Sequence, residues 1–516
     1  MIPDNYKFVV VGGGTAGWLS ALFLKKNIPK AHITVIESSD IGILGAGEGT
    51  VWNFIEFLQS IDISPADIVY HAQGTSKNGI KFTNWNGDGE HYFHGFSDPG
   101  EVTIEHPKVP YFDFSLPHLE ALAAGKNLDG VNFSAQVSSN NDVKYKTNGK
   151  KTSDPYEHFT QLGHTGLHFD ARLLAQYLKN VGVSRGIELI DAKVTSVTED
   201  FTHNISDIRL DNGAVLHPDF VFDCSGFHRL ILGKHYQEYW ESYENHLPVN
   251  RALPFFLPRT EEKIPPYTEA IAMKYGWMWK IPVGERYGCG YVFDGRLITD
   301  EQAKQEIEEL VGHEITSPKT FSFTPGSFYR PWRHNVLAMG LAANFIEPLE
   351  ATSIWVTTMS LRMFVKYFEG YLLKNFSYVD SYNNEVREMN KEICAFIYFH
   401  YLTKRDDTDF WRNFRVNNAP PEKYYFMYAE LTSGRFERKY FGVASYMQVG
   451  AGINYFGLLG ARQMYEYQLE IFGADKYKND KLFKTFEMEK LTSECVDHAF
   501  IIEYIKKRHP EVLRES

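Results

Sequence analysis

Gly12-Gly13-Gly14-Thr15-Ala16-Gly17 has the spacing G-x-G-x-x-G and follows the apolar run Phe8 to Val11. A helix is expected from about Thr15 to Lys26, and a second apolar run, Ile33 to Ile36, ends in Glu37. The acid falls about twenty residues past the last glycine, the order expected of a dinucleotide site. Gly12 permits a tight turn, Gly14 lets backbone approach a pyrophosphate, and Gly17 lets helix and strand pack closely. Free N–H groups at Thr15 and Ala16 would hold phosphates. Glu37 would accept from a ribose hydroxyl. The competing reading is a structural turn with Glu37 as an ordinary surface acid.

Three further sets of residues suit chemistry. Lys77 lies in Thr75-Ser76-Lys77-Asn78-Gly79, ahead of an expected strand. Most lysines are solvated, so chemistry here needs a cavity beside an acid. Trp277 and Trp279 share one face of an expected strand. They suit either a rigid wall beside a flat cofactor or ordinary core packing. Thr352 and Ser353 precede an expected helix from Trp355 to Tyr367. Amides at that helix start would bind a small anion, or the two hydroxyls simply cap it.

The elements that must position these residues are scattered along the chain. Gly47-Glu48-Gly49-Thr50 reads as a tight loop, against a ligand or as a plain connector. Tyr92, His94 and Phe96 alternate onto one strand face, as a pocket wall or as ordinary packing. Asp170 is expected to cap a helix from Ala171 to Lys179. Phe220 to Gly226 and Trp332 to Gly340 each read as a strand feeding a glycine turn. The first carries Asp223 and the second Leu337 and Gly340. Phe255 to Val292 reads as a mostly β insertion. Beyond Tyr371 the pattern is helical and aromatic, ending in a surface helix over Leu491 to Arg508.

The expected fold class is therefore α/β. A dinucleotide-binding module is assembled from 1–84, 160–230 and 325–370. An inserted substrate and sheet region covers 85–159 and 231–324, and a mainly helical substrate-covering module covers 371–516. The formal net charge is -12 with no long basic run, which excludes nucleic acid and anionic membrane surfaces as expected partners. Four cysteines form no paired metal signature, so no metal site is expected. The N-terminus has no signal-peptide pattern, and no stretch suits a membrane span. A cytoplasmic protein is expected, and a homodimer is open.

Taken together, these segments resemble a flavin-dependent halogenase of the tryptophan-halogenase family. The resemblance runs from the glycine motif to at least Ser353. Gly276-Trp277-Met278-Trp279-Lys280-Ile281-Pro282 matches the family's G-W-x-W-x-I-P motif, and Gly12 to Trp18 matches its cofactor motif. The resemblance implies a Rossmann-like, flavoprotein monooxygenase-type fold that binds FAD and uses it as FADH2, with halide and O2 as co-substrates. It extends the flavin contacts to Ala46, Gly47, Glu48, Asp223, Leu337, Gly340 and Leu349. Lys77 and Glu350 match the catalytic lysine and glutamate, and Thr352 and Ser353 the halide-contacting amides. Trp277 and Trp279 would shield the flavin, while His94, Phe96 and Tyr446 would line the substrate pocket. A separate NAD(P)H-dependent flavin reductase would supply electrons.

Two departures bear on specificity. The family commonly has Ser-Thr-Gly after the glutamate, where this chain has Ala351-Thr352-Ser353. Tyr446 lies near the place of a ring-clamping tryptophan, and 371–460 shows no match to residues that grip an amino acid's ammonium and carboxylate. An electron-rich, indole-like aromatic is the expected substrate. A flavin-dependent aromatic hydroxylase is the alternative, and a non-enzymatic flavin-binding interaction protein a more distant one.

Overall fold

The computed structural model describes residues 3–41, 47–96, 115–126, 129, 133–143, 156, 165–316, 319–433, 440–479 and 495–515. Its first organising unit is a six-stranded sheet. In spatial order the strands are Trp332–Arg333, Val336–Ala338, Phe220–Asp223, Lys7–Val11, His32–Glu37 and Glu188–Asp191. All neighbours pair in parallel except the antiparallel edge strand Trp332–Arg333. The central strand is apolar at every position after Lys7 because both faces are covered. Phe8 and Val10 enter a core with Trp18, Leu22 and Phe364. Val9 and Val11 point the other way, into a cluster with Ile205, Ile208 and Ile231.

The second unit is a seven-stranded sheet ordered Phe321–Ser322, Arg251–Pro258, Arg286–Phe293, Gly276–Val283, Thr268–Ala272, Gly79–Thr83 and His91–Gly95. The strand Gly79–Thr83, inside the expected 1–84 module, pairs in this sheet with Thr268–Ala272. A small sheet of Glu48–Gly49, Gly166–Phe169 and Thr75–Lys77 carries Lys77. Helix Thr352–Leu372 packs on Ser377–His400, and Val443–Gly452 lies over His91–Gly95.

Local signals set several helix boundaries. Asp170 caps Ala171–Ser184 by accepting from Leu173 N at 3.0 Å. The terminal helix His498–Glu515 is not the simple surface helix expected from its polar pattern. It buries His498, Ile501, Ile502, Ile505 and His509. Among the described residues, no helix is long and apolar enough to cross a membrane.

Candidate active site

The glycine turn divides its work among three positions. Gly12 has φ +119°, and a Cβ there would lie 2.2 Å from Cys224 O. A Cβ at Gly17 would lie 1.9 Å from Gly12 O, so the helix can pack this close only with glycine. Gly14 differs: no atom lies within 4 Å of its would-be Cβ. It also heads Thr15–Asn27 with no side-chain cap. The turn therefore presents open space and an uncapped helix start, which fits a pyrophosphate.

Glu37 ends its strand against this turn. A Cβ at Gly13 would come within 2.0 Å of Glu37 Oε2. The carboxylate accepts from Trp18 Nε1 at 3.1 Å and from Lys179 Nζ. Lys179 went unnoticed in the sequence because nothing local links it to Glu37. Gly340, at φ +60°, brings its turn so close to the helix that a Cβ would lie 2.6 Å from Ala16 Cβ. Leu337 and Leu349 are core side chains nearby. These features together fit the dinucleotide part of FAD.

Other predicted flavin residues sit differently. The Asp223 carboxylate accepts from Ser225 N and Oγ, Ile231 N and Leu232 N. It is buried and fixes its own turn, so the side chain holds the shape of this segment. Burial and the neighbouring Asp170 push Glu48 up to about 7. Gly47 takes φ +83°, and Ala46 lies outside the described residues.

Lys77 is fully buried, and its Nζ has no hydrogen-bond partner among the described residues. The ammonium sits 5.2 Å from the centre of the Phe96 ring. Burial pulls Lys77 down to about 7, partly opposed by the charge of Glu350. His168 packs nearby, with Nδ1 3.1 Å from Thr75 Oγ1 and Nε2 2.9 Å from Thr268 Oγ1. Burial, then Lys77, holds His168 well below its ordinary value.

Glu350 is also buried, but it is fully engaged. His94 Nδ1 lies 2.8 Å from Oε2, and His400 Nε2 lies 2.7 Å from Oε1. Burial alone would raise this carboxyl, but the two imidazoles reverse the shift and hold it at about 2. The contacts are hydrogen-bond lengths, so both rings bind the one carboxylate. His400 was missed from sequence. Its only local signal is a histidine closing an aromatic-rich helix, which reads as a helix-end residue.

Thr352 and Ser353 begin helix Thr352–Leu372 but do not cap it. The N-cap is Ala351 at φ +54°, with no side-chain bond to the first turn. The structure thus removes the capping explanation for these hydroxyls and leaves a helix start suited to an anion. Trp277 is buried, and Trp279 is half-buried above Gly290, with their rings 6.2 Å apart. Trp277 Nε1 approaches Glu347 and Tyr401 without reaching hydrogen-bond geometry. Tyr401 donates to Glu347 Oε1 at 2.6 Å, while burial pushes Glu347 up to about 8.

His94 meets Glu350, and the Phe96 ring lies beside Lys77 Nζ. Tyr446 is fully buried, 4.7 Å from the Phe396 ring centre and 5.8 Å from that of Phe399. Phe396 also meets His94 at 5.7 Å, so Tyr446 stands one ring behind the histidine. A separate cleft of about 480 Å³ is lined by Phe227, Arg229, Arg251 and Arg296 and holds no predicted site residue. Arg251 and Arg296 are paired there with Asp300 and Asp294.

A dinucleotide turn on a parallel sheet, a paired-tryptophan strand and a buried lysine near a carboxylate define a flavin-dependent halogenase. The family described as Tryptophan halogenase matches residues 7–459, and this chain belongs to it. Tryptophan 7-halogenase KtzQ of Kutzneria sp. (strain 744) is 32% identical over 435 residues, covering 78% of this chain and 77% of that one. Tryptophan 7-halogenase RebH of Lentzea aerocolonigenes is 29% identical over 533 residues, covering 93% and 96%. The structure of BrvH, a flavin-dependent halogenase from Brevundimonas sp. BAL3, superposes with TM-score 0.82 at 27% identity, covering 98% and 100%.

Proposed function

We propose that this enzyme halogenates an electron-rich, indole-like small aromatic, with Lys77 directing the oxidant and Glu350 serving the ring. The observation that carries this reading is the Lys77 ammonium, buried without a hydrogen-bond partner among the described residues and within the field of Glu350. A structural lysine of this burial would have a partner. KtzQ and RebH are tryptophan 7-halogenases, which supports the indole-like part. Tyr446 packs away behind Phe396, which favours an indole-like substrate over free tryptophan.

Bound reduced FAD, with O2, supplies the oxidising equivalent that turns halide into hypohalous acid. The protein's share is binding, shielding and proton control. The uncapped start at Thr352 and Ser353 holds the halide. Trp277 and Trp279 keep the organic substrate from the flavin. Protonated Lys77 donates a hydrogen bond to hypohalous acid, whereas neutral Lys77 attacks the halogen, breaks the oxygen–halogen bond and forms a haloamine, its displaced proton leaving with the hydroxide as water. Because Lys77 sits at about 7, both forms are populated near neutral pH. Glu350, backed by His94 and His400, orients the ring and takes its proton. A separate NAD(P)H-dependent flavin reductase supplies the electrons.

The test supplies reduced FAD, O2 and chloride, bromide or iodide with a panel of indoles and phenols, and reads product masses. Halogenated products are expected. Hydroxylated products alone would overturn the reading in favour of an aromatic hydroxylase. Absence of O2-dependent consumption of reduced FAD would favour a binding protein. Lys77→Ala is expected to keep flavin oxidation and lose halogenation.

A further inference from the structure

The terminal helix His498–Glu515 lies beyond residues 7–459, the stretch matched by the family. It nevertheless packs on helix Pro65–His71 and reaches Ser76, the residue before Lys77. His498 is fully buried, and its Nδ1 donates to Ile264 O at 3.0 Å. A backbone carbonyl can only accept, so the ring proton sits on Nδ1 and Nε2 is left as an acceptor. Nε2 takes the backbone N–H of Ser76 at 2.9 Å.

Ser76 is the middle residue of Thr75–Lys77, an edge strand whose sheet partner is Gly166–Phe169. His498 therefore stands where a further strand would otherwise satisfy the edge. The same terminal segment supports the other flank of Lys77. Asn78 Nδ2 donates to Asp142 O at 3.1 Å, Asp142–Val143 pairs with Val496–Asp497, and His498 N donates to Asn141 O at 3.0 Å. A second contact, a close approach without hydrogen-bond geometry, lies further along the helix. His509 Nε2 is 3.0 Å from Asp67 Oδ1 on Pro65–His71, the helix that leads into the Lys77 strand.

Among the described residues Lys77 Nζ has no hydrogen-bond partner, so the backbone beneath it must set its aim. We infer that His498 is a positioning residue for Lys77, holding the edge of its strand through Ser76 so that Nζ points into the reaction space. The inference rests on the reading of Lys77 given above. A shift of about 1 Å at a reacting group can cost about a hundredfold in rate. Loss of the acceptor would also leave the Ser76 N–H buried and unsatisfied.

The experiment compares His498→Phe, which keeps a ring but removes the acceptor, with His498→Gln, whose Oε1 can replace Nε2. Each full-length variant receives reduced FAD, O2, bromide and the indole or phenol that the native enzyme brominates best. The readout is brominated product per reduced FAD oxidised, alongside FAD binding and the bromide KM. His498→Phe is expected to lower this ratio about tenfold with FAD binding, flavin oxidation and bromide KM unchanged, and His498→Gln to restore at least half of it. An unchanged ratio in His498→Phe overturns the inference, as does an equal loss in both variants. If His498→Phe fails to fold, His498→Asn, too short to reach Ser76, takes its place with the same two outcomes. Lys77→Ala runs beside them. If it retains halogenation, the reading of Lys77 fails; if it loses halogenation while His498→Phe does not, only the positioning role fails.

Discussion

His400 Nε2 lies 2.7 Å from Glu350 Oε1 while His400 Nδ1 lies 2.8 Å from the carbonyl of Phe396. Because the carbonyl accepts only, Nδ1 carries a proton. The contact between Nε2 and the carboxylate then holds a second proton, shared by two groups that are each at most 1% exposed. Glu350 is thus one half of a buried acid–base pair, with His94 on its other oxygen.

Removing charge from this pair has a definite sign. Glu350 is held at about 2, below its ordinary 4.5. It therefore contributes stability that is present above about 4.5 and lost as pH falls toward 2. His400→Gln keeps a donor but removes the imidazole that lowers the Glu350 carboxyl, so burial acts with less opposition and the carboxyl rises. The acid limb of the melting temperature should move to higher pH, and halogenation should fall about a hundredfold. Coincident melting profiles for the variant and the native enzyme between about pH 3 and 7 would sink this account of the pair.

Lys77 has the opposite stability signature. Its value falls from 10.5 unfolded to about 7 folded, so the unfolded chain binds more protons between those limits. Stability therefore rises with pH across that window, and the burial cost is fully present below about 7. Lys77→Met removes the buried charge and keeps the apolar stem. The variant should melt about 2 °C or more above the native enzyme near pH 6, and the gap should close toward pH 10. Halogenation should be lost. A melting difference independent of pH would show that Lys77 is not titrating as its burial requires.

What the sequence made legible was local. Gly12 and Gly17 declare a turn because their backbone admits no side chain, and Glu37 follows at a fixed distance along one βαβ unit. Lys77, Glu350 and His94 were read through resemblance to a family, since each belongs to a different element and their meeting is a product of packing. His400 and His498 had no such support. One closes an aromatic helix and the other opens a polar terminal helix, and only the folded chain reveals a carboxylate against the first and a strand edge against the second. Ala351 was equally silent, because alanine at φ +54° contradicts the usual preference for glycine.

Ser353→Asp should separate halide binding from folding. Helix Thr352–Leu372 has no side-chain cap, and Ser353 is its second residue. A carboxylate in this first turn interacts favourably with the helix dipole, by about 0.3–1 kcal/mol. It also competes with any anion for the same N–H groups. The variant should melt at or slightly above the native temperature while its KM for bromide rises about tenfold. An unchanged bromide KM would remove the helix start from the halide site.

Gly14 gives the sharpest test of the cofactor turn, because its role differs from those of its neighbours. Gly17→Ala would force a Cβ to 1.9 Å from Gly12 O, and Gly12→Ala would meet Cys224 O at 2.2 Å, so both should weaken the fold itself. In Gly14→Val the added Cβ meets nothing within 4 Å, and Gly14 has an ordinary φ of -76°. Its cost should fall on the ligand alone. The apoprotein should melt within about 2 °C of native, while FAD affinity drops at least about tenfold by fluorescence titration. Native FAD affinity in Gly14→Val would mean that the pyrophosphate does not cross this glycine, and the fit of the turn to a dinucleotide would fall with it.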